Sequence, residues 1–275
     1  NRDNYMSYVA EMVDGIKLLS MNDLKEITTN LESFNKSLEE MDAADNTMNS
    51  PICYSKIDTT RRLNELEVHN FQKFIDRDYK VTLPSPYLLT RSMWLREITG
   101  KVYEGRKELG QDVIDLLKNE IRHLVQEGVK IIQIDEPILS EVVFTNEKAD
   151  NSFYWGALSE KVKVDKELKF ARELLDPVLE EIRKHDGVLS IMHVCRGNWT
   201  TDESVLLQGA YDKLGKFFDA LDLDMLALEF STPRAGEVEK LFSNNFLDTR
   251  VMLGFGCVNP RSEVIETPEE TGLCA

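Results

Sequence analysis

Cysteine is scarce in this 275-residue sequence, and the scarcity narrows its chemistry. The four thiols, Cys53, Cys195, Cys257 and Cys274, are scattered. They make no disulfide framework in a chain this long, which points to reduced thiols and a cytoplasmic setting. Long apolar runs are also missing: none approaches the roughly 20 residues of a membrane span. Basic charge is short relative to acid, 33 Lys and Arg against 49 Asp and Glu, for a net charge of −16. That balance opposes nonspecific nucleic-acid binding and leaves no basic membrane patch. A glycine-rich phosphate loop after a first strand is absent, which disfavours a doubly wound nucleotide-binding sheet. Gly254-Phe-Gly256 is too short and lies in the wrong place. The first residue is Asn1 rather than Met, so a removed leader remains open.

What is present is a repeated unit. At 42% hydrophobic, the chain has enough apolar side chains for one sizeable core. Residues 112–127 read as an amphipathic helix, with Val113, Leu117, Ile121, Leu124 and Val125 at helical spacing and Gly128 as a stop. A buried-strand pattern follows over 129–134 and runs into Asp135-Glu136-Pro137. The next helix spans about 165–185, with a kink or break expected at Pro177, before a strand that ends in His193. Further helices near 211–220 and 236–242 lead to strands at 225–229 and 251–255. Upstream, 79–83 reads as one more strand. Alternating helix and buried strand implies a parallel sheet. Ser85, Asp135, His193, Glu229 and Asn259 stand at or just after strand C-terminal ends, where a (β/α)8 barrel carries its catalytic residues. Residues 1–60 differ: 4–19 and 21–41 read as acidic helices, 51–57 as a strand or hairpin arm outside the ring. The expected architecture is a single TIM barrel over 1–275 with an N-terminal helical and hairpin elaboration.

His193 and Cys195 stand two apart at the end of an apolar run. On a strand they share a face, and an imidazole beside a thiol suits a borderline metal such as zinc. A buried cysteine is also commonly just a small apolar residue. Glu229 closes another apolar run, where an unpaired carboxylate is costly. Metal ligation or pairing with Arg234 would each resolve that cost. Asp135 and Glu136 could cap the next element. Cys53 reads as packing, and His69, His123 and His185, all on helical patterns, as solvent-facing or structural residues.

Taken together, Gln133-Ile-Asp-Glu-Pro137, His193-Val-Cys195, Leu228-Glu229 and Leu253-Gly-Phe-Gly-Cys-Val-Asn-Pro260 closely resemble the catalytic domain of cobalamin-independent methionine synthase. His193-Val-Cys-Arg-Gly-Asn-Trp199 and Glu229-Phe-Ser-Thr-Pro-Arg-Ala-Gly236 look most like its short members, which lack the N-terminal half. The resemblance spans residues 133–260. It implies a zinc-dependent methyltransferase on a TIM barrel, with homocysteine as the thiol and methionine as the product. By the match, His193, Cys195 and Glu229 are metal ligands and Asp135 holds the substrate amino group. Glu136 joins Asp135 as a candidate catalytic residue. Ser85, Arg196 and Trp199 are candidate substrate contacts, and Trp155 a candidate pocket wall.

The sequence departs from the family at its end. The family's last ligand is a cysteine in an Asn-Pro-Asp-Cys-Gly segment that is absent here. Cys274 is the expected substitute and Cys257 the alternative. The family's opening strands would precede Asn1, and a segment is expected to be missing before Thr271. The implied methyl donor is methyltetrahydrofolate or a methylated corrinoid protein. No Asp-x-His-x-x-Gly motif occurs, so cobalamin is not expected as a bound prosthetic group. Two other readings are a different small thiol, such as coenzyme M, and a metal-free barrel that only binds a ligand.

Overall fold

The computed structural model describes residues 6–27, 49–144, 163–197 and 206–269. Among the described residues seven strands run in chain order: β1 Ile16–Ser20, β2 Asn49–Cys53, β3 Lys80–Pro84, β4 Ile131–Asp135, β5 Leu189–Val194, β6 Met225–Glu229 and β7 Met252–Gly256. The last five form one parallel sheet in sequence order. Each crossover between them carries helix, as parallel neighbours require. Helices Pro86–Met93 and Arg106–Gln126 separate β3 from β4, and Ile138–Phe144 and Val164–Arg183 separate β4 from β5.

Side-chain alternation gives this sheet two unlike faces. Val81, Leu83, Ile132, Ile134, Met192, Val194, Leu226 and Leu228 are buried under the helices. The opposite face carries Ile131, Ile191 and Met225 lower down and, toward the strand C-terminal ends, the smaller or more polar Gln133, Asp135, His193, Ala227 and Glu229. The helices supply the other half of the core. Arg106–Gln126 buries Leu109, Val113, Leu116, Leu117, Ile121 and Leu124 along one stripe. Each such side chain contributes about 2 kcal/mol on burial. Gly128, at φ +87°, then turns the chain into β4 through the left-handed conformation that glycine adopts without strain. Ser85 starts Pro86–Met93 by accepting a hydrogen bond from the Leu88 amide at 2.9 Å, with Pro86 next to it in the first turn.

Two helical expectations change. Val164–Arg183 runs unbroken through Pro177. The interior proline costs about 3 kcal/mol, and burial of Leu174, Leu175, Val178 and Leu179 offsets it. At the N-terminus the helix covers only Ser7–Met12 rather than 4–19. Gly15 turns at φ +97°, where an added Cβ would stand 2.7 Å from the Lys56 carbonyl oxygen. The apolar residues after it form β1, paired antiparallel with β2 in a separate two-stranded sheet. Of the expected helix over 21–41, Met21–Ile27 is helical and residues 28–41 lie outside the described set.

Candidate functional site

Strand register determines which side chains can meet. Asp135 is level with His193, His193 with Ala227, and Ala227 with Gly254. One step further on, Glu229 is level with Gly256. His193, Cys195 and Glu229 line a single open cleft of about 380 Å³, together with Phe255, Val258 and Pro260. On β7 the cleft is lined by Gly254, Phe255 and Gly256.

Each polar group in the cleft is held from behind. Asp135 Oδ1 meets His193 Nδ1 at 3.1 Å. A carboxylate on one imidazole nitrogen orients the ring and leaves the other nitrogen for a ligand. No bond to Nε2 occurs among the described residues. Glu229 accepts from Arg234 Nη2 at 2.6 Å and from Arg261 at 3.4 Å, all on Oε1. Its Oε2 takes no hydrogen bond among the described residues. Burial pushes the Cys195 thiol up to about 11, and the charges of Asp135 and Glu229 add to the rise. The bare thiol is therefore protonated at neutral pH, and a cation at the cleft would reverse that preference.

Arg234 gathers the site. Its guanidinium donates to the carbonyls of Arg196 at 2.9 Å, Leu207 at 3.1 Å and Gly197 at 3.1 Å, besides Glu229. It thereby fastens the loop after β5 to the end of β6. Tyr211 repeats the tie, donating its hydroxyl to the Val194 carbonyl at 3.0 Å and accepting from the Glu229 amide at 3.3 Å. Ser140 Oγ donates to the Cys195 carbonyl at 2.7 Å.

Other expected residues stand elsewhere. Glu136 is 0% exposed. It accepts from the Ser85 hydroxyl and, at 3.0 Å, from the Ile138 amide. Ser85 is equally buried, so the pair joins two helix starts behind the sheet and lines no part of the cleft. Burial pushes the Glu136 carboxyl up to about 7, against the opposing bonds from Ser85 and Ile138. Arg196 is 0% exposed, with its guanidinium 4.5 Å from the Phe144 ring centre and 4.6 Å from that of Tyr211. Burial lowers its pKa from the usual arginine value. Cys257 falls between the lining residues Gly256 and Val258 and is not itself one. Cys53 is buried, and desolvation pushes its thiol up to about 11. Trp155, Trp199 and Cys274 lie outside the described residues. The sequence carries no signal for Arg261, which reaches Glu229 from beyond β7, or for the contact of Gln133 with Asp135. Period two along β4 places Gln133 only on the same face as Asp135.

The donor types fit a borderline metal: imidazole, thiol and carboxylate open on one cleft, and two of them present an atom that no described residue occupies. Among the described residues no three His, Cys, Asp or Glu side chains already stand at metal-binding spacing. None of the described helices is long and apolar enough to cross a membrane.

The family model for the catalytic domain of cobalamin-independent synthases matches residues 34–169. The Bacillus subtilis protein YxjG is 27% identical over 210 residues, covering 74% of this chain and 51% of the relative. A methionine synthase of Sulfurisphaera tokodaii is 26% identical over 191 residues, covering 70% of this chain and 42% of the relative. The chain thus spans about half the length of these curated relatives. Among solved structures, a B12-independent methionine synthase from Shewanella, in complex with selenomethionine, superposes with a TM-score of 0.64. That match covers 96% of this chain and 64% of the other at 17% identity. At that identity the likeness concerns the fold alone.

Proposed function

The chain belongs to the family of the cobalamin-independent methionine synthase catalytic domain, and from that premise we propose that it is a methyltransferase acting on a small thiol, homocysteine, to give methionine. The observation that carries the reading is the shared cleft of His193, Cys195 and Glu229 at the strand C-terminal ends. The five-stranded sheet is read as an arc of a (β/α)8 barrel, in which that end is the catalytic one.

His193 and Glu229 each offer one donor atom, because Asp135 and Arg234 engage the other. With Cys195 they would hold zinc, completed by Cys274 or alternatively Cys257, and zinc would supply the positive charge that keeps a substrate sulfur deprotonated. With zinc bound, two cysteinates and one carboxylate would leave the site at net −1 before substrate binds, which would favour a nucleophilic sulfur. Asp135 Oδ2 takes no hydrogen bond among the described residues and suits the substrate ammonium group. The methyl donor is methyltetrahydrofolate or a methylated corrinoid protein.

Metal analysis of untagged protein after zinc loading and dialysis tests the site. One zinc per chain is expected, lost in Cys195→Ser and weakened in Glu229→Gln. A wild-type protein that retains no zinc, or a Cys195→Ser variant that retains it fully, overturns the ligand set.

A further inference from the structure

The polar side chains of β3, β4 and β5 form one hydrogen-bonded line across three strands. Lys80 Nζ donates to Gln133 Oε1 at 2.6 Å. Gln133 Nε2 donates to Asp135 Oδ1 at 2.6 Å. The same Oδ1 meets His193 Nδ1 at 3.1 Å. Each link has a direction. A lysine ammonium donates and cannot accept, so the amide oxygen of Gln133 is the atom that faces Lys80. That orientation sends the amide N–H toward Asp135. An ionised carboxylate only accepts, so Nδ1 of His193 must carry a hydrogen. A neutral ring so held keeps its lone pair on Nε2.

We propose that Lys80 and Gln133 are positioning residues for His193: through Asp135 they fix the imidazole as the Nδ1–H tautomer and reserve the Nε2 lone pair for the cleft. Gln133 is 7% exposed. Its amide therefore cannot turn over without leaving a buried donor or acceptor unsatisfied, a penalty that holds the orientation. Lys80 lies on the exposed end of β3 and selects that orientation from outside the site. The inference rests on the methyltransferase reading only for the use made of Nε2.

The test is the tautomer itself. The chain has four histidines, so long-range ¹H–¹⁵N correlation spectra of histidine-labelled, metal-free protein are simple to read. His193→Gln assigns the relevant pair, and spectra are taken at a pH where the rings are neutral. Wild-type protein is expected to show a protonated Nδ1 and an unprotonated Nε2 at His193. Gln133 Nε2 is the donor that holds Asp135 Oδ1 in place, so Lys80→Met and Gln133→Leu free the carboxylate to rotate off Nδ1; each should move both nitrogens toward values averaged between the two tautomers, and Lys80→Arg should restore them. Lys80 is exposed, so Lys80→Met keeps the fold, checked by far-ultraviolet circular dichroism. An Nε2–H ring in the wild type, or a Lys80→Met spectrum identical to wild type, overturns the proposal. Because the readout needs neither metal nor substrate, its failure leaves the methyltransferase reading standing, and failure of that reading leaves the tautomer result intact.

Discussion

Replacing Glu136 with glutamine should change how stability depends on pH, and by a calculable amount. Glu136 is fully buried, and desolvation raises its carboxyl from 4.5 to about 7 in the folded protein. The unfolded chain carries the carboxyl near its ordinary value. Between pH 4.5 and about 7 the folded state therefore binds a proton that the unfolded state has released. Folding stability falls as pH rises through that window, and the loss is complete above about pH 7. At about 1.4 kcal/mol per pH unit the wild type gives up about 3 kcal/mol. The amide that Glu136→Gln introduces has no proton to release and can still meet Ser85 and Ile138. Urea unfolding of both proteins at pH 4.5, 6 and 8 measures the effect. The stability difference, variant minus wild type, should increase by about 3 kcal/mol from pH 4.5 to 8. Glu167 and Asp224 have lowered values, and Glu181 is lowered to about 2, so their contributions change mainly below the window. Parallel curves for the two proteins would refute the reasoning, because they would mean that burial does not hold the Glu136 proton.

Two further outcomes follow from the cleft. With its thiol pushed from 9.0 to about 11, Cys195 of metal-free protein should be alkylated at pH 7 roughly 100-fold more slowly than an unperturbed thiol, from the loss of thiolate alone. Peptide mapping after timed iodoacetamide treatment reads the rate, and labelling as fast as a free thiol would contradict the assigned burial. Arg234→Met removes one partner of a buried ion pair together with donors to three carbonyls. A destabilisation of about 3 kcal/mol or more is expected in urea, and a change under about 1 kcal/mol would show that the clasp contributes little.

Much of the sheet was legible because periodicity and burial are local signals. The strand read at 225–229 is β6, and the strand ending in His193 is β5. The N-terminal helix ends well short of residue 19, although Ile16, Leu18 and Leu19 fit a helical stripe as well as a strand. Pairing with the distant β2 decides between them, and local spacing carries no trace of it. His193, Cys195 and Glu229 could be proposed from strand ends and family motifs. Ser85 and Glu136 stand at the same strand ends, but both are buried and bonded to each other behind the sheet. Adjacent residues on a strand face opposite sides, so Asp135 on the cleft side leaves Glu136 to the helices. The clasp at Arg234 could not be read in advance, since it needs three loop carbonyls to meet in space.

The central claim is methyl transfer to a thiol at this cleft, and one product analysis tests it most directly. Zinc-loaded protein is incubated with homocysteine and either methyltetrahydrofolate or methylcobalamin carrying an isotopically labelled methyl group, and the products are read by mass spectrometry. Labelled methionine is expected from wild-type protein with at least one donor, and none above background from Cys195→Ser. No labelled methionine from zinc-loaded wild type with either donor, or an equal yield from Cys195→Ser, would contradict it.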